Sequence, residues 1–183
     1  MHKFSHHHAE RLERPERYAL LPPGETLLRF GLKEGMSFAD VGAGTGFFSR
    51  AASEIVGATG TVYAVDMSPE MLEYLRTISP APVIQTVHSG EYSIPLPDGV
   101  ADLTLLAFVV HETPDIPRFI NEALRITRRG GTVVILEWKK QDEEHGPEKE
   151  ERLDMHDLLD HLSEEPVTFG ELNDSHYFVR IQR

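Results

Sequence analysis

In the stretch Phe38-Ala39-Asp40-Val41-Gly42-Ala43-Gly44-Thr45-Gly46-Phe47-Phe48-Ser49, glycines occupy three alternate positions directly after a short apolar run. Glycine lets the backbone turn sharply there and removes the Cβ atoms that would hold a ligand off. The loop therefore suits close contact with something flat or anionic, such as a nucleotide-like cofactor. Asp66 lies 20 positions beyond Gly46, at the end of a second apolar stretch. A carboxylate so placed can accept both hydroxyls of a ribose, the plainer alternative being a solvated strand cap. Met67 beside it either packs on an adenine face or fills the core. A dinucleotide fingerprint requires G-x-G-x-x-G, and counting from Gly42 puts Phe47 where the third glycine belongs. Asp40, two residues before the first glycine, would repel a pyrophosphate and suits a cationic ligand.

For proton transfer the best-placed pair is His111-Glu112, just past a long apolar run. Histidine titrates near neutrality and a folded-back neighbouring carboxylate can orient it, so the ring serves either as a base or only to shape a pocket. Trp138 either lines an acceptor pocket or packs under the last helix. His6, His7 and His8 form the densest histidine cluster, but adjacent histidines on a polar arm without cysteine or a carboxylate partner point to no metal site.

The elements that must position these residues follow from periodicity and turn chemistry. Residues 1–21 are polar and weakly helical, an N-terminal arm or lid closed by Pro22-Pro23, with Phe4 and Tyr18 able to exclude water from a site beneath; residues 22–183 form one domain. Strands are expected near 37–41, 61–66, 83–87, 101–108 and 132–138, and helices near 25–30, 47–56, 69–78, 116–127 and 152–162. Ser68 before Pro69-Glu70, and Asp115, are helix caps. Gln141 to Glu151 reads as a solvated acidic connector, and strands near 167–172 and 177–181 form a closing hairpin around Asn173-Asp174-Ser175. This order implies an α/β, mostly parallel, doubly wound sheet. Its carboxyl edge gathers Asp40 and the glycine loop, Asp66, Gly90-Glu91, and Phe108 to Glu112.

Bulk properties narrow the partner. The chain has 183 residues, 18 basic against 30 acidic side chains and no cysteine. A net charge of −12 disfavours nucleic acid, and the missing thiols exclude disulfides, thiolate metal sites and cysteine nucleophiles. With no apolar run near the roughly 20 residues of a membrane span and no signal-peptide pattern, a cytoplasmic protein acting on a small molecule is expected.

The motifs D-V-G-A-G-T-G, V-Y-A-V-D ending in Asp66, and L-P-D-G-V-A-D resemble those of class I S-adenosylmethionine-dependent methyltransferases. The likeness spans roughly Leu20 to Arg183. His2-Lys3-Phe4 with Pro22-Pro23, and Glu137-Trp138-Lys139-Lys140, are similar to a group of small bacterial methyltransferases of undefined substrate. The resemblance implies a Rossmann-like, seven-stranded sheet with the last strand antiparallel, and S-adenosylmethionine as cofactor. It implies that Asp40 and the Gly42-Ala43-Gly44 and Gly46 backbone hold the methionine part, Asp66 the ribose and Met67 the adenine. Where the family often has Gly-Asp-Ala this chain has Ser89-Gly90-Glu91, so adenine recognition would pass to Glu91 or to backbone amides near Gly90. A nicotinamide-dependent oxidoreductase and a non-catalytic cofactor-binding protein are the alternatives.

Overall fold

The apolar run Ala101–Ala107 forms β4, buried on both faces as its composition dictates, and the rest of the sheet is built outward from it. The computed structural model describes residues 15–143, 145–162 and 166–183. The other strands are β1 (Ser37–Val41), β2 (Thr61–Asp66), β3 (Ile84–His88), β5 (Thr127–Trp138), β6 (Val167–Glu171) and β7 (His176–Gln182). Helices are α1 (Pro15–Leu20), α2 (Pro23–Arg29), α3 (Phe47–Val56), α4 (Pro69–Ile78), α5 (Ile116–Ile126) and α6 (Met155–Asp160).

The seven strands lie in the order β3-β2-β1-β4-β5-β7-β6. All pairs from β3 through β5 are parallel, while β7 runs antiparallel to both β5 and β6. Only β7 is therefore reversed, as expected. Strand order turns around between β1 and β4, and a crevice at that point above the carboxyl ends is where such sheets take ligands.

Alternation along the strands divides the core. Val133 and Ile135 face α5 and α6 with Ile120, Ala123 and Leu158. Val134 and Leu136 face the other way, with Phe38, Phe47, Phe48, Ala52 and Leu27. The helix starts work as their sequences indicate: Ser68 Oγ accepts from Met71 N at 3.3 Å, and Asp115 Oδ1 accepts from Arg118 N at 3.1 Å.

Four expectations need correction. Strand β5 begins at Thr127, not 132, because a register shift opposite Ala101 and Leu103 lets residues 128–130 bulge out and re-enter through Gly131. A Cβ on Gly131 would lie 2.8 Å from the Asp102 carbonyl, so only glycine passes there. The last helix covers 155–160, not 152–162. Arg152, 3% exposed, is diverted from it: its guanidinium donates to the carbonyls of Lys139, Gln141, His145 and Pro147 at 2.8–3.1 Å. The acidic connector is thus wound around a buried cation and is no free solvated run. Finally, residues 1–14, including Phe4 and the histidines at 6 to 8, lie outside the described residues, whereas Leu21, placed in the arm, is 3% exposed and packs in the core with Leu27 and Phe30. No helix among the described residues is long and apolar enough to cross a membrane.

Candidate active site

The glycine loop leaves β1 and is pinned to β2: Gly42 N and Ala43 N both donate to the Val65 carbonyl, at 2.8 and 2.9 Å. Gly42, Gly44 and Gly46 all have positive φ, of 78°, 53° and 83°. Ligand approach is not the only reason for glycine here. A Cβ on Gly42 would sit 2.3 Å from Val109 Cγ1, and one on Gly46 would sit 2.3 Å from Leu75 Cδ1. Two of the three glycines are therefore also required by packing, against the loop after β4 and against α4.

Asp66 ends β2 beside this loop. Its Oδ2 accepts from Gly44 N at 2.7 Å and its Oδ1 from Ser68 N at 2.8 Å. Each oxygen keeps a lone pair, the arrangement two vicinal hydroxyls need. Burial raises its pKa above the ordinary carboxylate value, and the backbone N–H groups of Ser68 and Gly44 oppose that rise. Met67 is 41% exposed, so it is not core filler but an open apolar face next to the carboxylate. Gly90 and Glu91 follow β3 on the same edge, close by: Ser89 N donates to the Asp66 carbonyl at 3.0 Å. Thr113 Oγ1 donates to Glu91 Oε1 at 3.4 Å, tying that loop to the one after β4.

Asp40 differs from expectation in being closed off. It is 2% exposed, and Ser49 Oγ donates to its Oδ2 at 2.6 Å. Burial pushes its carboxyl up to about 6, against the Ser49 hydrogen bonds. It sets a charge beneath the loop and offers no open carboxylate. Thr45 Oγ1, within the loop, is buried with no hydrogen-bond partner among the described residues. A buried hydroxyl in that state suits a polar ligand group, so the loop fits a cofactor with charged and hydroxyl-bearing parts.

Beyond β4 the chain turns at Phe108, the one non-glycine residue with positive φ (61°) among those described. His111 then lies in the 3-10 turn Val110–Glu112. The carboxylate that orients it is Glu137 and not Glu112, which is exposed. His111 Nδ1 is 2.9 Å from Glu137 Oε2 and 3.1 Å from Oε1, and the backbone N–H groups of Val110 and His111 donate to Oε1 at 2.9 and 3.2 Å. Desolvation alone would lower the His111 pKa, but the hydrogen bond and charge of Glu137 outweigh it and raise the value. Sequence reasoning missed this role for Glu137. Its signal was present, since a lone acid inside the apolar run Val133 to Trp138 must have a partner when buried.

Above the loop, Tyr18 of α1 packs on Phe47 with ring centroids 4.7 Å apart, and the Arg17 guanidinium lies 4.1 Å from the same ring. Tyr18 OH also accepts from Arg50 at 2.9 Å. Among the described residues no cluster of three or more histidine, cysteine or acidic side chains could hold a metal ion.

Comparison with known proteins agrees with this geometry. A family described as "Methyltransferase domain" matches residues 39–135, more than half of the chain. The crystal structure of a SAM-dependent methyltransferase from Aquifex aeolicus is 32% identical, with a TM-score of 0.91 over 98% of both chains. A putative type 11 methyltransferase from Sulfolobus solfataricus is 25% identical, with a TM-score of 0.70 over 94% of this chain and 93% of its own. Among curated proteins, a demethylmenaquinone methyltransferase from Lysinibacillus sphaericus is 30% identical over 64% of this chain and 51% of its own. The chain thus spans about half the length of the curated relatives it matches.

Proposed function

The chain belongs to the S-adenosylmethionine-dependent methyltransferases, and from that premise we propose that it moves a methyl group from S-adenosylmethionine to a small organic acceptor. The observation that carries the reading is Asp66, whose two oxygens are each fixed by one backbone N–H and keep one lone pair for a ribose hydroxyl. When bound, the cofactor supplies a methyl group already activated on a sulfonium.

The protein's own part is holding, aligning and proton removal. Met67 covers the adenine, with Gly90 and Glu91 at its edge. The charge of Asp40 favours the cationic methionine portion, and the Thr45 hydroxyl and the loop from Gly42 to Gly46 hold that portion in place. Phe108 borders the cofactor where β4 ends. The Arg17 and Tyr18 side chains, stacked on Phe47, close the site from above and exclude water.

His111 is the base. The acceptor-only carboxylate of Glu137 fixes the proton on Nδ1, which leaves the Nε2 lone pair for a proton of the acceptor. Glu112 stands at the rim of this group and takes no part in orienting the ring.

Calorimetric titration with S-adenosylmethionine and with NADH, separately, tests the cofactor. Binding of NADH alone would reverse the reading in favour of an oxidoreductase. Release of S-adenosylhomocysteine over a panel of small acceptors, beginning with quinols because a curated relative is named for demethylmenaquinone, tests turnover. Tight cofactor binding with no release from any acceptor would support a non-catalytic binding protein instead.

A further inference from the structure

His176 opens β7 directly opposite Trp138, the last residue of β5, and is 2% exposed. Asn173 Oδ1 accepts from the backbone N–H groups of Ser175 and His176, at 3.0 and 2.9 Å, and lies 3.0 Å from His176 Nδ1. The two backbone donors identify that atom as the amide oxygen. Nδ1 must therefore carry the proton, and Nε2 the lone pair. Among the described residues nothing donates to Nε2. Burial pushes this imidazole's pKa down to about 4, so the ring is neutral near pH 7 and is a poor proton carrier.

The surroundings are aromatic. The ring centroids of Trp138 and Phe108 lie 4.2 and 5.0 Å from that of His176. Phe108 is the strained residue at the end of β4, and strain of this kind persists where the surrounding structure needs the side chain in place. The connector is drawn over the indole: a Cβ on Gly146 would lie 2.9 Å from Trp138 Cδ2 and Cε2. The cluster adjoins the glycine loop, because Val109, next to Phe108, packs on Gly42, where a Cβ would lie 2.3 Å from Val109 Cγ1. A buried acceptor nitrogen among ring faces is poorly matched to structural filler. It fits a flat ligand that carries a hydrogen-bond donor on its edge.

We propose that Phe108, Trp138 and His176 form the ring-binding subsite of the methyl acceptor, and that this acceptor is a flat aromatic molecule whose hydroxyl donates a hydrogen bond to His176 Nε2. The inference rests on the methyltransferase reading and adds the acceptor's chemical class to it. His176 selects and orients through that hydroxyl, and His111 removes the proton from a different atom of the acceptor, the one that receives the methyl group.

The test uses the full chain loaded with S-adenosylhomocysteine, titrated by calorimetry with 1-naphthol and with 1-methoxynaphthalene, which has the same ring without the O–H. The wild type is expected to bind 1-naphthol about tenfold more tightly or better, since a site built around a buried acceptor rejects the ligand that leaves it unpaired. In His176→Phe the two ligands should bind within about twofold of each other. On the wild type alone, the imidazole Nε2 nitrogen resonance should move with 1-naphthol and stay put with the ether, which keeps the test valid even if the variant does not fold. Failure of 1-naphthol to bind, equal binding of the two by the wild type, discrimination that survives in His176→Phe, or an unmoved Nε2 resonance overturns the subsite. Failure of S-adenosylhomocysteine itself to bind is a separate result, and it overturns the methyltransferase reading on which the subsite depends.

Discussion

The two halves of the carboxyl edge are built differently. On the side of β1, β2 and β3, the candidate cofactor site is made mostly of backbone and of residues close in sequence, and Asp40, the glycine loop and Asp66 fall within 27 positions. On the side of β4, β5 and β7, the key groups meet from far apart. Glu137 reaches His111 across 26 positions, and Trp138 meets His176 across a strand pair whose members are separated by the whole connector and β6. The first half presents backbone N–H groups and carboxylate lone pairs, whose placement is set by the strand ends and the loop. The second half presents side chains, His111, Glu137, Trp138 and His176, held by contacts between distant strands.

Removing Glu137 should separate the halves most sharply. Glu137→Ala would leave the Val110 and His111 N–H groups and the imidazole without their buried partner, with an expected loss of about 3–5 kcal/mol in urea unfolding. The milder Glu137→Gln keeps an acceptor for the backbone. Its turnover should fall about a hundredfold or more, with cofactor affinity unchanged within about twofold. A parallel fall in affinity would mean that the halves are one unit.

Asp66→Ala is the converse. Loss of two hydrogen bonds to an ionised group should weaken S-adenosylmethionine binding by about a hundredfold in calorimetry. It should leave the imidazole resonances of His111 and His176 where they are, and their movement would tie the acceptor side to the ribose site.

A smaller effect follows from protons. Asp40 titrates near 6 in the folded protein, above its unfolded value of 3.8, so the native state binds the extra proton between those values. Its contribution to stability is full below about pH 4 and is lost as pH rises through 6. A cationic ligand favours the ionised form, so cofactor affinity should rise about tenfold from pH 5 to pH 7. Asp40→Asn should flatten both dependences, and a pH-dependent affinity that survives in the variant would assign the effect elsewhere. The least effect is expected from Met67→Ala, about fivefold in cofactor affinity. Stability should stay within about 0.5 kcal/mol, because the side chain is 41% exposed. A larger stability change would return Met67 to the core.

Much of this architecture could be read from local patterns. The Ser68 and Asp115 caps and the nearly continuous apolar run of β4 each act over a few residues, and each reappears in the fold. The misjudged parts involve long-range partners. Arg152 lies on a helical stripe, but four carbonyls between β5 and α6 hold its guanidinium. Glu112 was nearest to His111 in sequence, yet a 3-10 turn put the imidazole over Glu137. Nothing local marks His176 in its hairpin, where only burial and the Asn173 contact give it a defined tautomer.

The sequence by itself determined the glycine loop, Asp66 at the end of β2 and the doubly wound order of elements, because torsional freedom, strand alternation and capping are properties of neighbouring residues. Tertiary structure alone decided that Gly42 and Gly46 also answer to Val109 and Leu75, that Asp40 is buried, and that one histidine is paired with a carboxylate while another keeps a bare lone pair among aromatic rings. Those outcomes depend on desolvation and on partners brought together from distant strands, and neither exists until the sheet has closed.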